Sequence, residues 1–397
     1  VRSLNRTISR EVARRFLLAH HGLRGREHAP GAPGVRALLA RLRCIQLDPL
    51  DAVGTNADLV AIARLDDVSR GDVYRHLLPT HAFEHFAKER CLLPASAFAH
   101  YRAQAVETPW WRLGERLKRL EPGVLERVLD EVRARGPITA AGLTDQGRVE
   151  ALDWSGWKGT GRVTSMALEV LWTRCQVVVA GRGARGVRHY DVPERALPDH
   201  HDAEAGAPFA DWALRERVEA AGLLPCASGP WWSMLSSLRN GPEVEALVYA
   251  GALEAVTVEG ANARYLAPAG FLDRLEALEA AVEPDDTLRV LGPLDPMVWC
   301  RALVHHVFDF EYVWEVYKPA EQRRWGWYVC PLLHRGRFVG RFEGHTEGGQ
   351  VVVDTLWTEP GARVDRRAFK RALARLSLPT GKSNAGERKG RRFSKPQ

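Results

Sequence analysis

The 397-residue sequence has no run of roughly 18 apolar residues, so no segment has the composition of a membrane-spanning helix. The arginine-studded opening, residues 1–15, lacks the apolar centre of a signal peptide, and a cytoplasmic protein with no membrane attachment is expected. Cysteine is sparse. Cys44, Cys91, Cys175, Cys226, Cys300 and Cys330 are scattered, with no Cys-x-x-Cys pair and no histidine at zinc-ligand spacing. This argues against a disulfide framework and structural zinc, and leaves reduced, mostly buried thiols. Clustered carboxylates of the kind a metal-dependent nuclease needs are also missing; Asp66-Asp67 and Asp285-Asp286 read as solvated caps. The pairs His20-His21, His200-His201 and His305-His306 lack the i, i+4 spacing of a helical metal site. No metal and no cofactor are expected.

Arginine is what the chain has in excess. The formal charge is +7, with arginine far outnumbering lysine. That suits a polyanionic partner, because guanidinium pairs bidentately with phosphate; GC-rich coding gives the same excess with no such partner. Residues 377–397 carry Lys382, Arg388, Lys389, Arg391, Arg392 and Lys395 against a single acid, Glu387, and show no apolar periodicity. They read as a disordered basic tail, either a solvated terminus or a weak clamp on DNA.

A chain of this length exceeds one ordinary core, and a repeat of pattern divides it. Residues 124–135 and 164–174 read as helices, and residues 175–180 and 187–192 as strands of a hairpin around a glycine-rich turn. The outline returns further on. Helices at 211–221, 229–238 and 242–250 precede strands at 253–258 and 263–267, each hairpin ending at proline. Helices followed by such a hairpin are the outline of a winged helix. Residues 8–21 and 35–43 read as helices of a first unit, in which no wing is visible. From Arg289 the pattern turns to alternation, with strands expected at 312–317, 325–332, 338–342 and 351–356 and a tight turn at Arg335-Gly336. The expected fold class is α+β: three tandem winged-helix domains (5–122, 123–200, 209–272), a small C-terminal antiparallel β-barrel (286–376) and the tail (377–397).

Tandem winged helices are more often DNA-binding regulators than enzymes. Chemistry is suggested by Cys44-Ile-Gln-Leu-Asp-Pro-Leu50. Pro49 biases Asp48 toward extended geometry, where residues two apart share a face, so Gln46 and Asp48 point one way while Ile45 and Leu47 point into a core. An amide beside a carboxylate suits cleavage of an N-glycosidic bond. The sugar gains oxocarbenium character that an anion stabilises, and the pair can hold and deprotonate water. The same Gln-x-Asp-Pro is equally a turn capped by aspartate. Candidate DNA contacts are Arg182 and Arg185 in the glycine-rich hairpin, Arg323 and Arg324 in a cation-aromatic run ending at Tyr328, and Lys318 and Arg341 on either side of that run.

The order of these pieces resembles the YcaQ/AlkZ family of winged-helix DNA glycosylases. His20-His-Gly-Leu23 followed by Ile45-Gln-Leu-Asp-Pro-Leu50 is similar to the start of that family, and residues 83–94 to a later segment. Leu291-Gly-Pro-Leu-Asp-Pro-Met-Val-Trp299, Glu315-Val-Tyr-Lys-Pro319 and residues 323–334 resemble its C-terminal block. The resemblance runs from about residue 5 to 375. It implies three winged-helix domains in a C-shape with a C-terminal β-barrel, gripping duplex DNA, and a catalytic Gln-apolar-Asp or Gln-apolar-Gln motif, here Gln46 and Asp48. The Asp form resembles the branch that acts broadly on N7-alkylpurines and unhooks interstrand cross-links; the Gln form goes with self-resistance to particular alkylating antibiotics. The implied protein is a monofunctional DNA glycosylase, a monomer without a cofactor, acting on double-stranded DNA with alkylated or cross-linked purines. The competing expectation is a non-catalytic winged-helix regulator or damage-binding protein. The sequence departs from its relatives at Phe86-Ala-Lys-Glu89, where Trp-Ala-His-Glu is usual, and at Pro296 and Cys300, where polar residues are usual. Lys88 thereby becomes a candidate active-site neighbour, chemically able to form a Schiff base with an abasic sugar.

Overall fold

The computed structural model describes residues 6–25, 29–105, 113–152, 159–183, 186–261, 263–279 and 285–377. Arg185 and the basic tail beyond Ser377 lie outside the described residues. The chain is a mixed α+β protein in which helices lead repeatedly into antiparallel hairpins.

The first hairpin is the one that no pattern announced. Helices Gly31–Leu42, Asn56–Ile62 and Asp72–Leu77 precede strands Ala82–Ala87 and Glu89–Pro94, and the short strand Ile45–Gln46 joins them through the pairs Ile45 with Leu92 and Gln46 with Cys91. Two causes hid it. Residues 82–85 are buried on both faces, so polar and apolar positions do not alternate. The turn is made by Lys88, with Glu89 at φ 61°, where a glycine would have marked the reversal.

The second hairpin, Val178–Arg182 with Arg188–Asp191, follows helices Val124–Arg135 and Val163–Thr173, and Ile138–Thr139 adds its third strand. The third, Leu253–Val258 with Arg264–Pro268, follows helices Phe209–Ala221 and Pro242–Tyr249. The helix expected at 229–238 is instead a 3-10 turn, Pro230–Trp232, followed by irregular chain. The segment is held by turn-type backbone bonds such as Leu235 N–H to the Trp232 carbonyl at 2.9 Å, and by the indole N–H groups of Trp231 and Trp232, which both donate to the Pro225 carbonyl at 3.2 and 2.8 Å.

The beginning of the chain reaches across to this third hairpin. Strand Arg6–Ile8 pairs parallel with Leu253–Val258, and helix Arg10–His20 packs on helices Phe271–Glu279 and Arg301–Phe308, with Phe16 edge-on to Phe271 at 4.7 Å. Periodicity reports that a helix has an apolar face and is silent about which distant element covers it.

The C-terminal strands, Arg289–Val290, Val329–His334, Arg337–Glu347 and Gln350–Thr358, form a four-stranded antiparallel sheet that stays open, not the expected closed barrel. Helix Arg366–Leu376 lies against both edge strands through Ala368, Phe369, Ala372 and Leu376, so a helix covers the apolar face that closure would otherwise bury. Arg335 and Gly336, at φ 49° and 72°, make the tight turn expected there. Residues 312–317 are irregular rather than a strand; the ring of Tyr312 is buried and its hydroxyl donates to the Val329 carbonyl at 2.8 Å.

Two ion pairs, one fully buried and one mostly so, fasten distant segments. Arg64 forks onto Asp295 through bonds of 2.7 and 2.8 Å, with neither side chain exposed. Arg182, on the second hairpin, forks onto Glu84 of the first at 2.6 and 2.7 Å. All six cysteines are free thiols, and five of them are buried.

Candidate functional site

Gln46 sits in a short strand whose neighbours bury it. Its backbone pairs with Cys91, its carbonyl accepts from Asn56 Nδ2 at 2.8 Å, and only 6% of the residue is exposed. Asn56 is held in turn at the start of a helix by a capping box in which the Thr55 hydroxyl and the Asp58 carboxylate satisfy each other's backbone N–H groups. The strand pairing extends one residue further, since Leu47 N–H donates to the Arg90 carbonyl at 2.8 Å. Ile45 lies in the core and Leu47 packs against it.

Asp48 comes next, half-buried, where the chain leaves the sheet. Its Oδ1 accepts from Leu50 N–H at 2.8 Å, so it does cap the turn around Pro49. Its Oδ2 has no hydrogen-bond partner among the described residues. Burial raises the pKa of this carboxyl above the ordinary aspartate value, and the Leu50 bond opposes that only in part.

Lys88 closes the site from the hairpin tip. Its Nζ donates to Gln46 Oε1 at 3.0 Å and stands 5.1 Å from the centre of the Trp299 ring, and only 6% of the residue is exposed. Burial lowers the ammonium to about 8; Arg217 works in the same direction, while Cys91, Glu89 and Cys44 oppose it. Because an ammonium only donates, its contact assigns the Gln46 amide: Oε1 faces Lys88, and the two Nε2 protons are left without a partner among the described residues. The motif therefore presents a donor at Gln46 and an acceptor at Asp48.

Several contributors to this site carried no local signal. Trp299 is fixed by its indole bond to the Leu294 carbonyl at 2.9 Å, and Glu89 accepts from the Ser233 hydroxyl, which brings the irregular 229–238 segment to the hairpin tip. Tyr317 is 71% exposed, and the nearby carboxylates of Asp48 and Glu89 add to burial in raising its phenol pKa. A cavity of about 60 Å³ opens beside the tip, lined by Cys44, Phe86, Ala87, Tyr101, Trp212 and Arg217 among others. The segments holding Trp299 and Tyr317 were singled out in the sequence only by resemblance.

The expected DNA contacts fare unequally. Arg182 is engaged by Glu84 and lies over the Tyr74 ring, and Arg341, 1% exposed, is bound to Glu359 and sandwiched between Phe310 and Trp325. Arg341 is engaged inside the protein, while Arg182 keeps part of its side chain at the surface. Arg324 remains largely exposed beside Glu311 and the Trp325 ring, Lys318 is half-exposed and paired with Glu315, and Arg323 donates to the Lys318 carbonyl at 2.8 Å. Among the described residues, no three His, Cys, Asp or Glu side chains gather as a metal site.

Two comparisons bear on this arrangement. The solved structure of the Streptomyces sahachiroi DNA glycosylase AlkZ superposes with a TM-score of 0.57, covering 93% of this chain and 96% of that one at 18% identity, so the two share a fold. The model of the family described as "DNA glycosylase AlkZ-like" matches residues 39–378, a stretch that contains Gln46, Asp48, Lys88, Trp299 and Tyr317. The chain therefore belongs to the AlkZ-like DNA glycosylase family.

Proposed function

We propose that this protein hydrolyses the N-glycosidic bond of N7-alkylated purines in double-stranded DNA, unhooks cross-links built on the same bond, and leaves an abasic site. The observation that carries the reading is the assigned amide. With Oε1 held by Lys88, Gln46 Nε2 is free to donate to an attacking water or to the departing base, while Asp48 Oδ2 is free to accept that water's proton. An N7-alkylpurine is already cationic and leaves without protonation, so a half-buried carboxylate next to C1′ provides what the oxocarbenium-like transition state lacks. Base release needs water alone as nucleophile, so this step is hydrolytic; the protein is read as a monomer working in the cytoplasm.

The helix-and-hairpin units act as winged-helix supports for the duplex, and the open C-terminal sheet takes the place of the barrel. Phosphate contacts come from cations that have no ion-pair partner among the described residues. Helix Arg366–Leu376 presents four of these, Arg366, Arg367, Lys370 and Arg371, all exposed on the face opposite its buried side.

The test is release of N7-methylguanine and unhooking of a nitrogen-mustard cross-link by the wild-type protein, Gln46→Ala and Asp48→Asn. Release by wild type that is lost in Asp48→Asn supports the assignment. DNA binding without release by any of the three leaves a damage-binding protein in which Asp48 only caps its turn.

A further inference from the structure

The geometry points to a second activity at the same site: Lys88 attacks the abasic sugar left by base release and cleaves the DNA strand by β-elimination. The inference rests on the glycosylase reading for its substrate and goes beyond the purely hydrolytic enzyme described above.

Lys88 is the only buried lysine among the described residues, and its amine is one hydrogen bond, 3.0 Å, from the amide proposed to work on C1′. Removing a purine opens the space that the base occupied and turns C1′ into the carbon of a ring-opened aldehyde, the natural electrophile for an amine. Ordinary surface lysines are protonated at neutral pH and do not add to aldehydes efficiently. Lys88 is lowered to about 8 by burial, so about a tenth of it is the free amine at pH 7. The Trp299 ring and Gln46 also hold it in place, which removes the cost of ordering a long flexible side chain.

The step balances without an oxidant or reductant. The neutral Lys88 amine adds to C1′ of the aldehyde, a proton from solvent carries the carbinolamine hydroxyl off as water, and an iminium forms. The iminium acidifies C2′; water takes that proton, and the electron pair expels the 3′-phosphate as the C3′–O bond breaks. A second water hydrolyses the unsaturated iminium, returning the free amine and a proton to solvent and releasing a strand ending in an unsaturated aldehyde. Asp48 and Gln46 are not required for any bond change in this sequence, so the two activities are separable.

The experiment uses the full chain and a duplex carrying one abasic site prepared beforehand by removal of a uracil, so that no base release is needed. Sodium borohydride is added to reduce any imine, and the covalent protein–DNA adduct is mapped by peptide mass spectrometry. The expected result is an adduct on Lys88, more abundant as pH rises toward about 8 and level beyond it, together with a β-elimination product when borohydride is omitted. Lys88→Arg loses both. Binding of the abasic duplex with no adduct at pH 8 overturns the proposal, as does an adduct that maps to another lysine and persists in Lys88→Arg. N7-methylguanine release is followed in parallel on wild type: release without adduct sinks only the lyase, and adduct without release sinks only the glycosylase.

Discussion

Arg64 and Asp295 stand 231 residues apart in the chain and meet in a bidentate ion pair with neither side chain exposed. Arg64 also donates to the backbone carbonyls of His21 and Val60, and Asp295 accepts from Met297 N–H at 2.9 Å, so each charge has several partners. The pair joins the turn that follows the Asn56–Ile62 helix, whose first residue bonds the Gln46 carbonyl, to the segment that delivers Trp299 against Lys88. A buried pair of this kind costs about as much to desolvate as its attraction returns, but removing one partner strands the other. Asp295→Asn is expected to destabilise the protein by about 3–5 kcal/mol, read as a lower midpoint in urea. Replacing both partners by Met and Leu should recover most of that loss. If Asp295→Asn alone costs nothing measurable, the clamp is not what holds these segments together.

Asp48→Asn separates turn-capping from chemistry. Asparagine still offers an Oδ1 to the Leu50 N–H, so the turn survives. The carboxylate it replaces is disfavoured by burial, which makes the variant as stable as wild type or slightly more so at pH 7. Base release should nevertheless fall by about 10²–10⁴. In wild type the active form is the carboxylate, so release declines as pH falls through a value above that of ordinary aspartate. An acid limb unchanged in Asp48→Asn would remove Asp48 from the mechanism.

How much of this was legible in the sequence depended on whether the signal was local. The second and third hairpins announced themselves through β-branched strands and glycine turns, because strand and turn chemistry act within a few residues. Gln46 and Asp48 were singled out by a proline that follows at once. The first hairpin was missed because Glu84 and His85 are buried where alternation would place one of them in water. Glu84 is buried because Arg182 of the next hairpin neutralises it, a partner 98 residues away. Trp299, Tyr317 and the Lys88–Gln46 bond are likewise products of tertiary placement, which no periodicity encodes. Arg341, expected beside the cation-aromatic run as a DNA contact, instead lies between the rings of Phe310 and Trp325 of its own chain, a placement that no local pattern encodes.

The exposed basic face of helix Arg366–Leu376 makes a graded prediction. Each cation that contacts phosphate contributes about 0.9 to the slope of log affinity against log salt. Replacing Arg366, Arg367, Lys370 and Arg371 together by Gln should therefore flatten that slope by about 3–4 and weaken binding at low salt. Arg341→Met should leave the slope alone and lower thermal stability, since its charge is spent on Glu359. Equal slopes for wild type and the fourfold variant would mean that the helix face is merely solvated.

Lys88 carries a stability cost whose pH dependence has a definite sign. Its pKa is 10.5 in an unfolded chain and about 8 in the folded protein. Below about 8 both states hold the proton, and the fold bears the penalty of a buried ammonium. Between about 8 and 10.5 the unfolded chain binds more protons than the folded one, so stability rises with pH across that window. The contribution is fully present above 10.5 and lost as pH falls through about 8. Lys88→Met removes the ionisation, so its stability relative to wild type should be greatest at pH 7 and shrink by on the order of 3 kcal/mol by pH 11. Loss of the bond to Gln46 costs the variant about 1 kcal/mol, an offset that hardly moves with pH and leaves the trend intact. Paired urea titrations of the two proteins across pH 7 to 11 measure it. A difference that stays flat over that range would mean that Lys88 is solvated in the folded protein and titrates as an ordinary lysine, which would also remove the free amine on which strand cleavage depends.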